Sequence, residues 1–190
     1  RIDQMGLLTT SDFNSGYHKL SINKYGDLAE YITKFEDRYM CRMLGEELYS
    51  LYLADLDPAC VPQSSRFLEI FNSFCKEVNN LGWCCYHNYP TRDCCTELLE
   101  SEGIKEMQKG FVYWEYIINQ PNQQSPVGPV KKLGANSEAL DNTENAHLAR
   151  SRWNRAVETF DAIQKYICNN LDVYPEFKGF PLAYKFPGIL

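Results

Sequence analysis

The chain has 190 residues, 44% apolar and 23% charged, with 19 basic against 25 acidic side chains and a formal charge of −6. That suits one domain burying roughly 70% of its unfolded surface. The acidic balance argues against a fold-wide grip on nucleic acid, which needs concentrated Lys and Arg. The longest central apolar stretch, 111–114, meets Glu115 at once, far short of the ~20 residues of a membrane span. No charged-then-apolar leader opens the sequence, so no secretion signal is expected. The eight cysteines accordingly read as reduced thiols in a cytoplasmic setting, not as a disulfide framework.

In chain order, residues 1–23 are polar, carry the turn formers Asn14, Ser15 and Gly16, and predict an irregular or extended arm. From Lys24 the pattern changes: Leu28, Tyr31, Ile32, Phe35 and Tyr39 recur at the spacing of one helical face. Met43, Leu44, Leu48, Leu51 and Tyr52 continue the stripe beyond Gly45. That glycine reads as a C-cap, a kink or a point of close helix packing, and Asp57-Pro58 stops the helix. A second helix is predicted over 64–78, with Phe67, Leu68, Phe71, Phe74 and Val78 as its apolar face and Ser64 or Ser65 as its cap. Residues 83–92 are aromatic, cysteine-rich and interrupted by Pro90, which predicts a loop or a short extended piece.

Helix is predicted again over 94–99 and, after Gly103, over 104–119, where Met107, Phe111, Trp114 and Ile118 share a side. Residues 120–136 hold Pro121, Pro126, Gly128, Pro129 and Gly134 among Gln, Asn and Ser, the chemistry of a long loop or hairpin. Asn136 and the acidic Glu138, Asp141 and Glu144 suit the start of a helix. Its apolar face is Trp153, Ala156, Val157, Phe160, Ile163, Ile167 and Leu171, the strongest periodic signal in the chain. Residues 173–190 carry Pro175, Pro181 and Pro187, which exclude a helix, yet also Tyr174, Phe177, Phe180, Tyr184 and Phe186. Such residues are scarce in solvated disordered tails, so this tail is expected to lie on something. The fold class is therefore mainly α: a small bundle of about four or five helices with a long loop and extended N- and C-terminal arms. Its parts are an arm over 1–23, a helical domain over 24–172 with its loop at 120–136, and an aromatic tail over 173–190.

Cys84, Cys85, His87, Cys94 and Cys95 form the one cluster of metal-ligand types. Thiolate with imidazole suits tetrahedral zinc, but adjacent side chains diverge along helix or strand, so each Cys pair supplies about one ligand. Buried thiols are the plain alternative, and no cofactor is expected. His18, His87 and His147 are the only histidines, none in a nucleophile motif, and no phosphate-binding glycine loop is present. The chain is expected not to be an enzyme. Arg150, Arg152 and Arg155 read as helix-surface charge paired with Glu144, Glu158 and Asp161, or as a subunit contact. Lys131 and Lys132 on the long loop are candidates for a neighbouring protein or DNA phosphates. Phe111, Tyr113, Trp114 and Tyr116 surround more than one helical face; core packing explains part of this, with a partner surface as the competing reading. Together with the tail they exceed what one small core needs, and the excess reads as interface.

The run 39–49, Tyr-Met-Cys-Arg-Met-Leu-Gly-Glu-Glu-Leu-Tyr, after a helix beginning near Leu28, resembles the head–tail connector (adaptor) proteins of tailed bacteriophages, notably those of crAss-like and other Bacteroides phages. Residues 104–118 resemble that family's central helix, and 127–132, Val-Gly-Pro-Val-Lys-Lys, stand where it has a glycine-containing basic loop. Residues 153–170, followed by Tyr174-Pro175-Glu176-Phe177, resemble its last helix and exit. The cysteine-rich segment 83–95 departs from the family pattern. The resemblance spans about 28–179 and implies a structural virion protein, without catalysis, that forms a typically twelvefold ring. It would bind the portal above and the next tail or ring protein below, while DNA passes through the lumen without specific binding. Assembly would occur in the host cytoplasm. Lys131, Lys132, Tyr174, Phe177, Phe180, Tyr184 and Phe186 are the expected partner-binding residues. The competing expectations are a zinc-stabilised interaction module, a lower tail ring and an internal cargo protein.

Overall fold

The computed structural model describes residues 6–20, 26–79, 96–119, 124–125, 128–129 and 142–182. The described part is mainly helical, with five α-helices and a small two-stranded sheet. The helices are α1 (Gly26–Leu44), α2 (Glu46–Ala54), α3 (Ser65–Phe71), α4 (Ile104–Asn119) and α5 (Asn142–Cys168). Strands β1 (Phe74–Asn79) and β2 (Thr96–Ser101) pair antiparallel, and a two-residue ladder joins β3 (Gln124–Ser125) to β4 (Gly128–Pro129) within the long connection.

Helices α4 and α5 form the centre, crossing where Gly110 meets α5. A Cβ on Gly110 would stand 2.8 Å from the Ala156 Cβ and 3.0 Å from the Arg152 carbonyl oxygen, so only hydrogen lets the two backbones approach this closely. Gly110→Ala is expected to cost about 2 kcal/mol through overpacking, read as a lower denaturation midpoint with an unchanged slope. Helix α1 lies across this pair. The Tyr39 ring stacks on Phe111 at 4.3 Å and meets Trp153 edge-on at 6.0 Å. Phe111 in turn contacts Trp153 at 5.1 Å and Phe160 at 6.2 Å. Phe111, Tyr113 and Tyr116 are all buried, with Trp114 packed against the core from its edge. This corrects the interface reading of 111–116: three layers converge on α4 from different sides, so the chain's own core absorbs that aromatic excess.

Two predicted helical stretches are strand. The helix predicted over 64–78 stops at Phe71, and β1 begins at Phe74. In β1, Phe74, Lys76 and Val78 share one face and Cys75 and Glu77 the other. Phe74 and Val78 are four apart, which satisfies a helical stripe as well as an alternating one, so the sequence pattern was degenerate. The helix predicted over 94–99 is β2 from Thr96, where Leu99 is buried and Leu98 is 54% exposed. The partner strand imposes that alternation. Phe74 and Lys76 rest on Tyr166 of α5, ring to ring at 5.2 Å and Nζ to Oη at 3.1 Å, and Lys165 pairs with Glu97.

The N-terminal segment is not loose against this body. Residues 6–20 contain a short 3-10 helix, Thr10–Phe13, and bury Leu7, Leu8, Phe13, His18 and Leu20.

Candidate functional site

Two regions organise the described surface. The first is the α1–α2 corner with the segment that follows α5. A helix leaves its last carbonyls without intrahelical partners, and α1 ends at Leu44 with two of them bonded to the distant C-terminal segment and a third to α5. Phe180 N donates to Arg42 O at 2.7 Å and Lys178 N to Leu44 O at 3.3 Å. Gln164 Nε2 of α5 donates to Met43 O at 2.9 Å and to Phe180 O at 3.2 Å. The Arg42 guanidinium returns two bonds to Pro181 O, at 2.9 and 3.2 Å. Residues 178–181 thus act as an intramolecular C-cap. Gly45 makes the corner: its φ is +82° and ψ 160°, backbone that L side chains rarely adopt, and a Cβ there would fall 2.7 Å from the Lys178 carbonyl carbon. A Cβ on Gly179 would overlap the Met43 carbonyl oxygen. Of the sequence readings for Gly45 the kink holds, while the element that packs closely against it is the tail and not a helix.

Tyr174 anchors this segment. It is fully buried, donates its hydroxyl to Arg66 O of α3 at 2.6 Å, and meets the Tyr166 ring edge-on at 6.4 Å. Phe177 packs on the core, while Phe180 is 65% exposed. The expectation that Tyr174 and Phe177 bind a partner is therefore corrected: the chain's own core takes them, because an aromatic side chain six residues past the end of α5 finds the nearest apolar gap. Phe180 keeps an exposed ring. Tyr184, Phe186, Lys131, Lys132, Cys84, Cys85, His87, Cys94 and Cys95 lie outside the described residues. Among the described residues no group of three or more His, Cys, Asp or Glu is placed to hold a metal ion.

The second region is an open groove of about 980 Å³ between the β1–β2 hairpin and α5. Glu100, Glu102, Glu106 and Glu158 line it against a single arginine, Arg155, and Tyr17 contributes to its wall. Arg155 is paired with Glu102, and its guanidinium lies 5.4 Å from the Tyr17 ring centre. Arg152 lies 5.1 Å from the same ring and 3.8 Å over Tyr113. These arginines were expected to pair along their own helix. Arg155 instead reaches the hairpin, and Arg152 is held between aromatic faces, where a guanidinium stacks favourably. Tyr17 also borders a smaller cavity of about 250 Å³ that His18 and Lys109 line. Sequence reasoning did not single out Tyr17 or His18, since nothing local marks a polar arm residue as a cover for a helix crossing.

Residues 86–180, half of the chain, match a family described as a family of unknown function, DUF6712. The chain belongs to that family. The DUF6712 match takes in β2, α4, α5 and the exit through Phe180, the elements that build the aromatic centre and carry Tyr174 and Gly179. It ends as the C-terminal segment passes the α1–α2 corner. No curated protein and no solved structure matches this DUF6712 chain.

Proposed function

We propose that this chain is a ring-forming subunit of the head–tail connector of a tailed bacteriophage, a structural virion part that joins the portal to the next tail component around the DNA channel. The observation that carries this reading is how the resembling segments pack together. Segment 39–49 forms the α1–α2 corner, 104–118 and 153–170 form the central helix pair, and the exit from Tyr174 seats against that corner through Lys178 and Gly45. Pieces distant in sequence that each resemble one family thus interlock in one unit. In this reading that unit serves as a rigid wedge, and Phe180 is exposed on it. Tyr184, Phe186, Ile189 and Leu190 follow. In this reading they are aromatic and aliphatic anchors for the portal or an adjacent subunit. Lys131 and Lys132 are, in this reading, contact residues for a neighbouring ring. Rings need two different patches per subunit, and a net charge of −6 suits a channel wall past which DNA slides without adhering.

Electron microscopy of the purified protein and of particles tests the reading. A closed ring of about a dozen copies at the portal is expected; a monomer absent from the portal region overturns it. Because residues 173–182 belong to the fold, the docking variant is the chain ending at Leu182. It is expected to melt as the full chain does and to lose portal docking. Unchanged docking overturns the role of residues 183–190.

A further inference from the structure

Residues 6–20 run over the bundle as a strap with two ionisable anchors. At its start, the Glu36 carboxylate of α1 accepts both strap amides within reach, Leu7 N at 2.5 Å and Leu8 N at 3.2 Å. At its end, His18 is buried to 4% exposure over the α4–α5 crossing, its Cε1 3.5 Å from where a Gly110 Cβ would stand and its Nδ1 without a hydrogen-bond partner. Between them Asp12 pairs with Lys105 of α4 at 2.9 Å. We propose that Glu36 and His18 are opposed proton-linked latches, so that the strap's attachment stays nearly level through the mildly acidic range although each latch by itself is strongly pH-sensitive.

Each latch has an identifiable environment. Burial raises the Glu36 carboxyl to about 7, the Leu7 and Leu8 amides oppose that, and Asp37 of α1 and Asp12 of the strap add to it. Tyr49 and Tyr52 of α2 and Cys60 of the following loop complete the surroundings; burial raises all three, then at Tyr49 the hydrogen bond to Asp37, with the Glu36 charge adding at each. Burial lowers the His18 imidazole to about 4; Glu106 of α4 opposes this from 3.8 Å, while Arg152, Lys109 and Arg155 add to it. Releasing the strap frees His18 and uncovers Glu36, returning both toward their ordinary values.

The signs follow from linkage. Below about pH 4.5 Glu36 is protonated in either state. As pH rises from 4.5 to about 7, the released form gives up its proton first and attachment weakens. Above about pH 6.5 His18 is neutral in either state. As pH falls from 6.5 to about 4, the released form takes up a proton first and attachment again weakens. From about pH 4.5 to 6.5 the two slopes run in opposite directions and nearly cancel.

Hydrogen-exchange protection of Leu20, whose amide donates to Phe13 O within the strap at 2.9 Å, reads attachment without touching either latch. In the full chain, protection is expected to vary by less than about tenfold from pH 4.5 to 6.5. In E36Q it should rise about a hundredfold from pH 4 to 6.5, and in H18N it should fall about a hundredfold from pH 4.5 to 7. Slopes of the same sign in the two variants, or a full chain as steep as either, overturn the proposal. Independently of any variant, the wild-type His18 ring resonances should titrate well below pH 6; titration near 6.5 overturns it too.

Discussion

Replacing Tyr174 with Ala is expected to lower the unfolding free energy by about 4 kcal/mol, and with Phe by about 1 kcal/mol. The first figure is the usual cost of emptying a fully buried aromatic site, and Tyr174 is fully buried against Tyr166. The second is one hydrogen bond, from the hydroxyl to Arg66 O. Urea denaturation of the two variants separates the contributions, and a loss of about 4 kcal/mol corresponds to a melting decrease of roughly 12 °C in a chain of this size. The larger loss reaches beyond the site. Tyr174 is the first fixed point after α5, and Phe177 N bonds back to its carbonyl at 3.1 Å. Without the ring, the segment that caps α1 keeps only Phe177 and the Arg66 contacts to Val173 O and Glu176 between Asn170 and Lys178. A Tyr174→Ala variant as stable as the native chain would mean that this segment contributes nothing to the fold.

Gly45→Ala is expected to cost about 3 kcal/mol. The substitution imposes a side chain on backbone at φ +82°, which costs ~1–3 kcal/mol, and drives its Cβ to 2.7 Å from Lys178. The Lys178 side chain is 73% exposed, so trypsin reports the consequence directly. Displacing residues 178–181 from the carbonyls of Arg42 and Leu44 is expected to speed cleavage after Lys178 severalfold, under conditions where the bundle stays folded. If stability falls without faster cleavage there, the cost lies in the corner alone, not in the tail contact.

The two substitutions probe one contact from opposite ends, and the sequence shows its ends unequally. Gly45 interrupts an otherwise continuous apolar stripe, so a break between α1 and α2 is legible from spacing alone. What approaches that break, more than 130 residues later, is not. The prolines of the tail were legible as excluding a helix, and its aromatics as needing a surface. That the surface would be the chain's own α1 terminus depends on where α5 ends and on the unpaired carbonyls of Arg42 and Leu44, which no local pattern encodes. The same holds for the strap: a polar arm with Asn14, Ser15 and Gly16 announces turns, but not the Glu36 carboxylate that holds two of its amides.

The sequence by itself determined that this is a mainly helical domain, where α1, α2, α4 and α5 run, and much of the faces they bury, although Leu51, Ile118 and Leu171 of the predicted stripes are exposed. Those properties follow from 3.6-residue periodicity and from Gly and Pro, which act within a few residues. Only the tertiary structure decided that 74–79 and 96–101 are paired strands, since Phe74 and Val78 fit both periods until a partner strand and Tyr166 select one. It alone decided that Tyr113, Tyr116 and Tyr174 face inward as well as Phe111. An aromatic side chain is buried equally well by its own core or by a partner, and only the positions of α1, α3 and α5 around it determine which.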